Sequence, residues 1–332
     1  MLTRSTLYFL FLKDNLSRYS PSIPLAPQLI SKFFRYADVT NTGHQCMYDW
    51  ILNKFGLSTS LKDGFASFLC GNPMTSTREY WVCITPVSLN PSLNDLTLNE
   101  IKDMSIEENK HFFSILKNHL AEEYDTVVWF DSKHWCLKAK SPQKLKTTSY
   151  HRAIGSCISE FIMTGSDSPK WKRITSEIEI LFNQDPLNQK RLLENKKPIN
   201  SIWLWGVGPA ETPNIKNCLV RTRHPFLKNI AKLGNIECLS SNIAINDIPL
   251  GKQSKEIIVS ISDPLLEGSN WSNSFIENDL KQSLVQLKSG MIGNITLVFP
   301  FENQTIEITV NQISFLKFWR YLKNNKNLLT KI

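Results

Sequence analysis

The residues best suited to chemistry concentrate between Asn183 and Gly208, which read NQDPLNQKRLLENKKPINSIWLWGVG. An amide-rich helical stretch passes through a Lys196-Lys197-Pro198 turn into an apolar strand, Ile199 to Trp205, that stops at Gly206-Val207-Gly208-Pro209. Glycines after a buried strand let backbone N–H groups approach an anion, and a following helix N-terminus would add its dipole. Position 211 is Glu rather than a third glycine, and Pro209 removes a donor. That argues against a dinucleotide and leaves a structural turn or a pocket for a small anion or acid. Trp203 and Trp205 alternate with Ile202 and Leu204, so both indoles point to one side of the strand. They form either core or a stacking surface beside Gly206 and Gly208.

Nucleophile and metal chemistry finds little support in the spacing. The six histidines, at 44, 111, 119, 134, 151 and 224, have no Asp/His cluster around them in the sequence. Glu177 and Glu179, two apart on a helix, point to different faces and cannot act as a paired acid and base. Seven cysteines, at 46, 70, 83, 136, 157, 218 and 238, show no C-x-x-C and no paired spacing, as expected of reduced thiols in a cytoplasm. No catalytic residue, no metal ligand and no cofactor is expected.

The segment also resembles a known family. The run x-x-P-x-N, x-x-R, P-x-N-S-x-W-L-W-G-x-G, preceded by Trp81 to Val87 and the Trp171 to Phe182 stretch, is similar to the signature of RpfE-type bacterial regulatory proteins. Those in turn resemble archaeal-type cofactor-independent phosphoglycerate mutases, whose inserted domain carries a similar segment; Phe226 to Cys238 is a fainter echo. The resemblance makes Asn188, Arg191 and Asn200 candidate binding residues, alongside Trp203, Trp205, Gly206 and Gly208. The bland reading has Asn188 and Asn200 satisfying buried backbone groups at a helix end and a strand start.

A mutase of the alkaline-phosphatase superfamily needs two metal ions on Asp and His clusters and a phosphoryl-accepting serine. Here Lys13-Asp14-Asn15-Leu16-Ser17 follows the first apolar run, and Asp263 to Asn270 carries one Asp and no His. Ser88 stands where RpfE-type relatives carry a histidine. These departures lead to the expectation of a non-catalytic cytoplasmic regulatory protein on a mutase-like scaffold, binding an unknown protein or a small acidic ligand. The alternatives are a cofactor-independent phosphoglycerate mutase or related phosphotransferase, and a basic nucleic-acid-binding regulator.

Composition bounds the rest. The 332 residues are 42% hydrophobic, 20% charged and 11% aromatic, enough for one large or two modest domains. The net charge of +8 is spread out, over Lys133, Lys138, Lys140, Lys144 and Lys146 and again over Lys317, Arg320, Lys323 and Lys326. A solvated basic surface explains it, and nucleic acid is disfavoured. The apolar run Leu7 to Leu12 is too short for a signal peptide, and no stretch approaches the ~20 apolar residues of a membrane helix.

Periodicity predicts strands at 6–12, 80–89, 93–98, 126–130, 135–137, 201–205, 256–261 and a hairpin at 294–310. Helices are expected at 28–36, 46–55, 106–121, 168–182, 224–233, 271–288 and 314–324, with Ser168 as a cap and Trp171, Ile174, Ile178, Leu181 and Phe182 as one stripe. The predicted fold class is α/β: a mixed-sheet core with helices on both faces, formed by residues 1–78 and 199–332, plus a mutase-like α+β domain inserted at 79–198.

Overall fold

The computed structural model describes residues 4–11, 37–43, 47–57, 64–70, 79–92, 95–124, 126–249, 255–261, 273–301 and 304–316. In chain order its elements are β1 Ser5–Phe11, β2 Asp38–Asn41, α1 Met47–Lys54, α2 Phe65–Cys70, β3 Tyr80–Pro91, β4 Leu96–Asn99 and α3 Ile106–Leu120. There follow β5 Val127–Trp129, β6 Trp135–Ala139, α4 Tyr150–Ala153, α5 Ser168–Gln184, α6 Pro186–Leu193 and β7 Ser201–Gly208. Last come β8 Cys218–Arg221, α7 Pro225–Leu233, β9 Glu237–Leu239, β10 Glu256–Ile261, α8 Asn273–Ser289, β11 Ile292–Phe301 and β12 Gln304–Asn311. Two compact units result, one of Met1–Leu57 with Pro213–Ile332, the other of Ser58–Thr212.

The first unit is built on a seven-stranded sheet, ordered β2-β12-β11-β1-β10-β8-β9. Its centre is parallel, with Tyr8 opposite Ile258 on one side and Thr296 on the other, while β12 and β2 add on antiparallel. Central parallel strands are covered on both faces and so read as near-continuous apolar runs, as Leu7 to Phe11 of β1 does. Leu7, Phe9 and Phe11 share one core with Leu280 and Leu287 of α8. Tyr8 points the other way, its ring 5.7 Å from Trp50 of α1. Helices therefore lie on both faces, as the sequence predicts.

The second unit has five strands, all antiparallel, with β3 paired to β4, β6 and β7, and β5 closing on β6. One face buries Val82, Ile84, Ile202 and Leu204 against Phe112, Leu116 and Leu120 of α3 and Trp171, Ile174, Ile178 and Phe182 of α5. Heptad-like spacing on both helices supplies those stripes, and a Ser105–Glu108 capping box starts α3 by satisfying two orphan amides.

Several expectations need correction. The inserted unit begins and ends elsewhere than 79 and 198, because β7 pairs with β3 from Val87↔Ser201 to Trp81↔Gly208 and so belongs to it. Leu181 is not in the α5 stripe but 37% exposed, one position off the buried face. Asp167, not Ser168, occupies the cap position of α5, with Pro169 in the first turn. The helix expected at 28–36 lies outside the described residues, and of the terminal helix only a 3-10 turn, Gln312–Leu316, is described. Among the described residues no helix is long and apolar enough to cross a membrane.

Candidate functional site

Gly206 and Gly208 do not form a loop beyond the strand; both lie within β7. Gly206 has φ +64°, and a Cβ there would sit 2.9 Å from Cβ of Phe65. The glycine therefore admits α2 rather than an anion, and α2 holds its place when Ser67 Oγ donates to the Gly208 carbonyl at 2.6 Å. Phe65 in turn stacks on Trp205, with ring centroids 4.5 Å apart and 21° between planes. Trp205 is wholly buried and gives its Nε1–H to Thr85 Oγ1. Trp203 is only half-buried and donates to the Thr148 carbonyl.

The polar members of the same set also face inward. Asn188 donates to the carbonyls of Phe182 and Ile199 and accepts from the Ile199 amide, joining the end of α5 to the start of β7. Asn200 exchanges two bonds with the backbone of Leu89. Arg191, fully buried, reaches the Lys197 carbonyl, Glu108 and Asp103. Their hydrogen-bonding atoms are taken up by the protein's own groups.

On the α2 face of the second unit, a titratable cluster surrounds Trp205. Asp131, in the β5–β6 turn, accepts from the amides of Lys133 (2.7 Å) and His134 (2.8 Å) and lies 2.8 Å from His134 Nδ1. Burial works against its ionisation, but His134 and the two amides outweigh that and hold its pKa below the usual carboxylate value. His151 stands edge-on to Trp205 at 5.6 Å. Although the residue as a whole is half-buried, its Nε2 is enclosed. Burial first, then the like charges of His134 and Lys133, push its pKa down to about 3.

That shift has a consequence for acid stability. An unfolded histidine takes up its proton near pH 6.5, whereas folded His151 resists until about pH 3, so stability falls as pH drops between those values. Unfolding free energy is expected to fall by about 1–2 kcal/mol between pH 7 and pH 5, at up to ~1.4 kcal/mol per pH unit. Denaturant titrations at both pH values should show this loss in the native chain and a smaller one in His151→Gln; equal losses would defeat the assignment.

Histidines do form single pairs with acids, which the spacing did not show. Besides His134–Asp131, His111 lies 2.9 Å from Asp185 and His119 3.0 Å from Glu177. The first pair was within reach of sequence reading, at i and i+3 in a turn. The other two join helices distant in the chain and left no local signal.

In the first unit, β8 and β10 end side by side, and ligands of parallel α/β sheets bind at such carboxyl ends. Thr222 Oγ1 and Ser260 Oγ lie 2.5 Å apart, and Thr222 also accepts the His224 amide. His224 occupies the N-cap position of α7, whose first residue is Pro225, so the positive dipole end of that helix lies at this edge. Arg221 binds Asp279 and the Ile243 carbonyl, and Arg223, half-exposed, donates to Asn242 Oδ1. Two hydroxyls, a helix start and an arginine suit a phosphate or carboxylate. Among the described residues, no three His, Cys, Asp or Glu side chains meet closely enough to hold a metal ion. The described residues thus do not fit the two-metal group that the resemblance implies; 13–17 and 263–270 lie outside them.

No family model matches the chain. A probable 2,3-bisphosphoglycerate-independent phosphoglycerate mutase of Geobacter sulfurreducens is 24% identical over 127 residues, 37% of this chain and 32% of that protein. The corresponding mutase of Methanosarcina mazei is 33% identical over 63 residues, 19% of this chain and 16% of its own length, and that of Methanothrix thermoacetophila 36% over 63 residues, with the same shares. The matched stretches thus span a third or less of these relatives. Among solved structures, the cofactor-independent phosphoglycerate mutase of Thermoplasma acidophilum aligns over 94% of this chain and 90% of its own, at 12% identity and TM-score 0.42. The relatives are named as mutases, and this overturns the expectation of a non-catalytic regulator in favour of its first alternative. The chain is distantly similar to cofactor-independent phosphoglycerate mutases.

Proposed function

We propose that this chain is a phosphoryl-transfer enzyme of the phosphoglycerate mutase type, acting on a small phosphorylated hydroxy acid. The observation that carries the reading is the sequence similarity to mutases from several organisms. The carboxyl edge of the parallel sheet supports it as the anion end, with Arg223, the Thr222–Ser260 hydroxyl pair and the start of α7 in place to bind and orient a phosphoryl or carboxylate group.

The test is direct. Purified protein incubated with 3-phosphoglycerate, with Mn²⁺, Mg²⁺ or Zn²⁺ supplied in turn, should form 2-phosphoglycerate, followed by phosphorus NMR. Arg223→Gln should lower kcat/KM about 10–100-fold, the equivalent of losing one charge-assisted contact of ~1.5–3 kcal/mol. Absence of interconversion by protein that unfolds cooperatively, under every ion condition, would overturn the reading.

A further inference from the structure

The turn after β9 wraps the last residues of β8. The Thr222 amide donates to the Leu239 carbonyl at 3.3 Å, continuing the pairing of Arg221 with Leu239. Arg221 Nη1 donates to the Ile243 carbonyl at 2.6 Å, and Arg223 donates to Asn242 Oδ1. These bonds hold residues 239–243 against residues 221–223, and the Ile243 amide closes the turn on the Ser240 carbonyl at 3.2 Å. Ser241 is the first central residue of that turn. Turn residues ordinarily face water, and Ser240 and Asn242 on either side are exposed. Ser241 is only 4% exposed, and its Oγ is enclosed with no hydrogen-bond partner among the described residues.

We propose that the Ser241 hydroxyl is a ligand-binding group at the carboxyl edge of the parallel sheet, and that what it binds is a phosphoryl group. The inference rests on the anion site read above at Thr222, Ser260 and Arg223. A hydroxyl withdrawn from water and given no partner is a loss to the folded chain, and an arriving acceptor recovers it.

The number of protons on offer says why such a donor matters. Each hydroxyl has one, and the Thr222–Ser260 contact, 2.5 Å long, holds one of the two between the oxygens. The His224 amide is engaged as well, since it donates to Thr222 Oγ1. The pair therefore offers an anion a single proton. Ser241 adds a second, and Arg223 brings the positive charge. Hydroxyls from separate strand ends together with an arginine suit the three terminal oxygens of a phosphoryl group, whereas a carboxylate is served by the guanidinium fork alone.

Inorganic phosphate is the probe, titrated into the folded full-length chain at constant ionic strength and followed by calorimetry and by the unfolding midpoint. The native chain should bind it, with a midpoint that rises as phosphate is added. Without phosphate, Ser241→Ala should unfold within about 1 °C of native or higher, because an enclosed hydroxyl that lacks a partner adds nothing to stability. Its phosphate affinity should fall at least about tenfold, the loss of one bond to a charged group. Acetate, titrated in the same way, should be indifferent to the change. The proposal is overturned by a native chain that does not bind phosphate, by equal phosphate affinity in Ser241→Ala, by acetate losing as much as phosphate, or by a phosphate-free midpoint more than about 2 °C below native. Phosphoglycerate turnover is read separately. Turnover with unchanged phosphate affinity in Ser241→Ala sinks this inference alone, and the expected affinity loss in a chain without turnover sinks the catalytic reading alone.

Discussion

Alanine in place of Trp205 is expected to lower the stability of the second unit by about 3–5 kcal/mol, the range for deleting a large buried ring. The indole has no solvent exposure, stacks on Phe65, contacts His134 and His151, and gives its Nε1–H to Thr85. Removing it leaves a cavity bounded by α2 and β3 and strands the Thr85 hydroxyl. Trp203→Ala should cost clearly less, about 1–2 kcal/mol, since that ring is half-buried and its main polar bond is to one carbonyl. Thermal unfolding separates the two: at roughly 2–4 °C per kcal/mol, the first change should move the midpoint by at least about 6 °C. Equal shifts for both variants would contradict the burial difference, and a Trp205→Ala midpoint within about 1 °C of native would sink the core assignment.

The contrast between these tryptophans marks where sequence reading stopped. Alternation correctly put Trp203 and Trp205 on one side of β7, but nothing local said that α2 covers only the second. FASFLC is six residues long, too short to show a helical period, and it left no mark in the sequence. Without α2 in view, Gly206 resembled the start of an anion loop; with it, the same glycine is the point where Phe65 approaches the strand. The parallel core was more legible, because strands buried on both faces have to be largely apolar, as Leu7 to Phe11 and Ile257 to Val259 are. The end of the inserted unit was not legible, since membership of β7 is decided by its partner β3, more than 100 residues earlier. Likewise, Thr222 and Ser260 reach the carboxyl edge from separate strands 38 positions apart, and only pairing brings their hydroxyls together.

Arg191 carries the second large effect. Its side chain is 1% exposed, and its guanidinium divides three ways: Nε to the Lys197 carbonyl at 2.9 Å, Nη1 to Glu108 at 2.8 Å and Nη2 to Asp103 at 2.7 Å. Glu108 Oε2 also accepts the Ser105 amide that opens α3, so a single arginine ties the capping box of α3 to the turn leading into β7. Removing one partner of a fully buried ion pair costs about 3–5 kcal/mol. Here Asp103 is 41% exposed and water can take over its bond, which brings the expected cost of Arg191→Met to about 2–4 kcal/mol. Lysine would keep the charge but not the planar fork, so Arg191→Lys should recover less than half of that loss. A double-mutant cycle with Glu108→Gln checks the coupling: the pair should be non-additive by at least ~1 kcal/mol. Additive losses would mean that Arg191 contributes through packing alone, with its three polar bonds exchanged for water at no net gain.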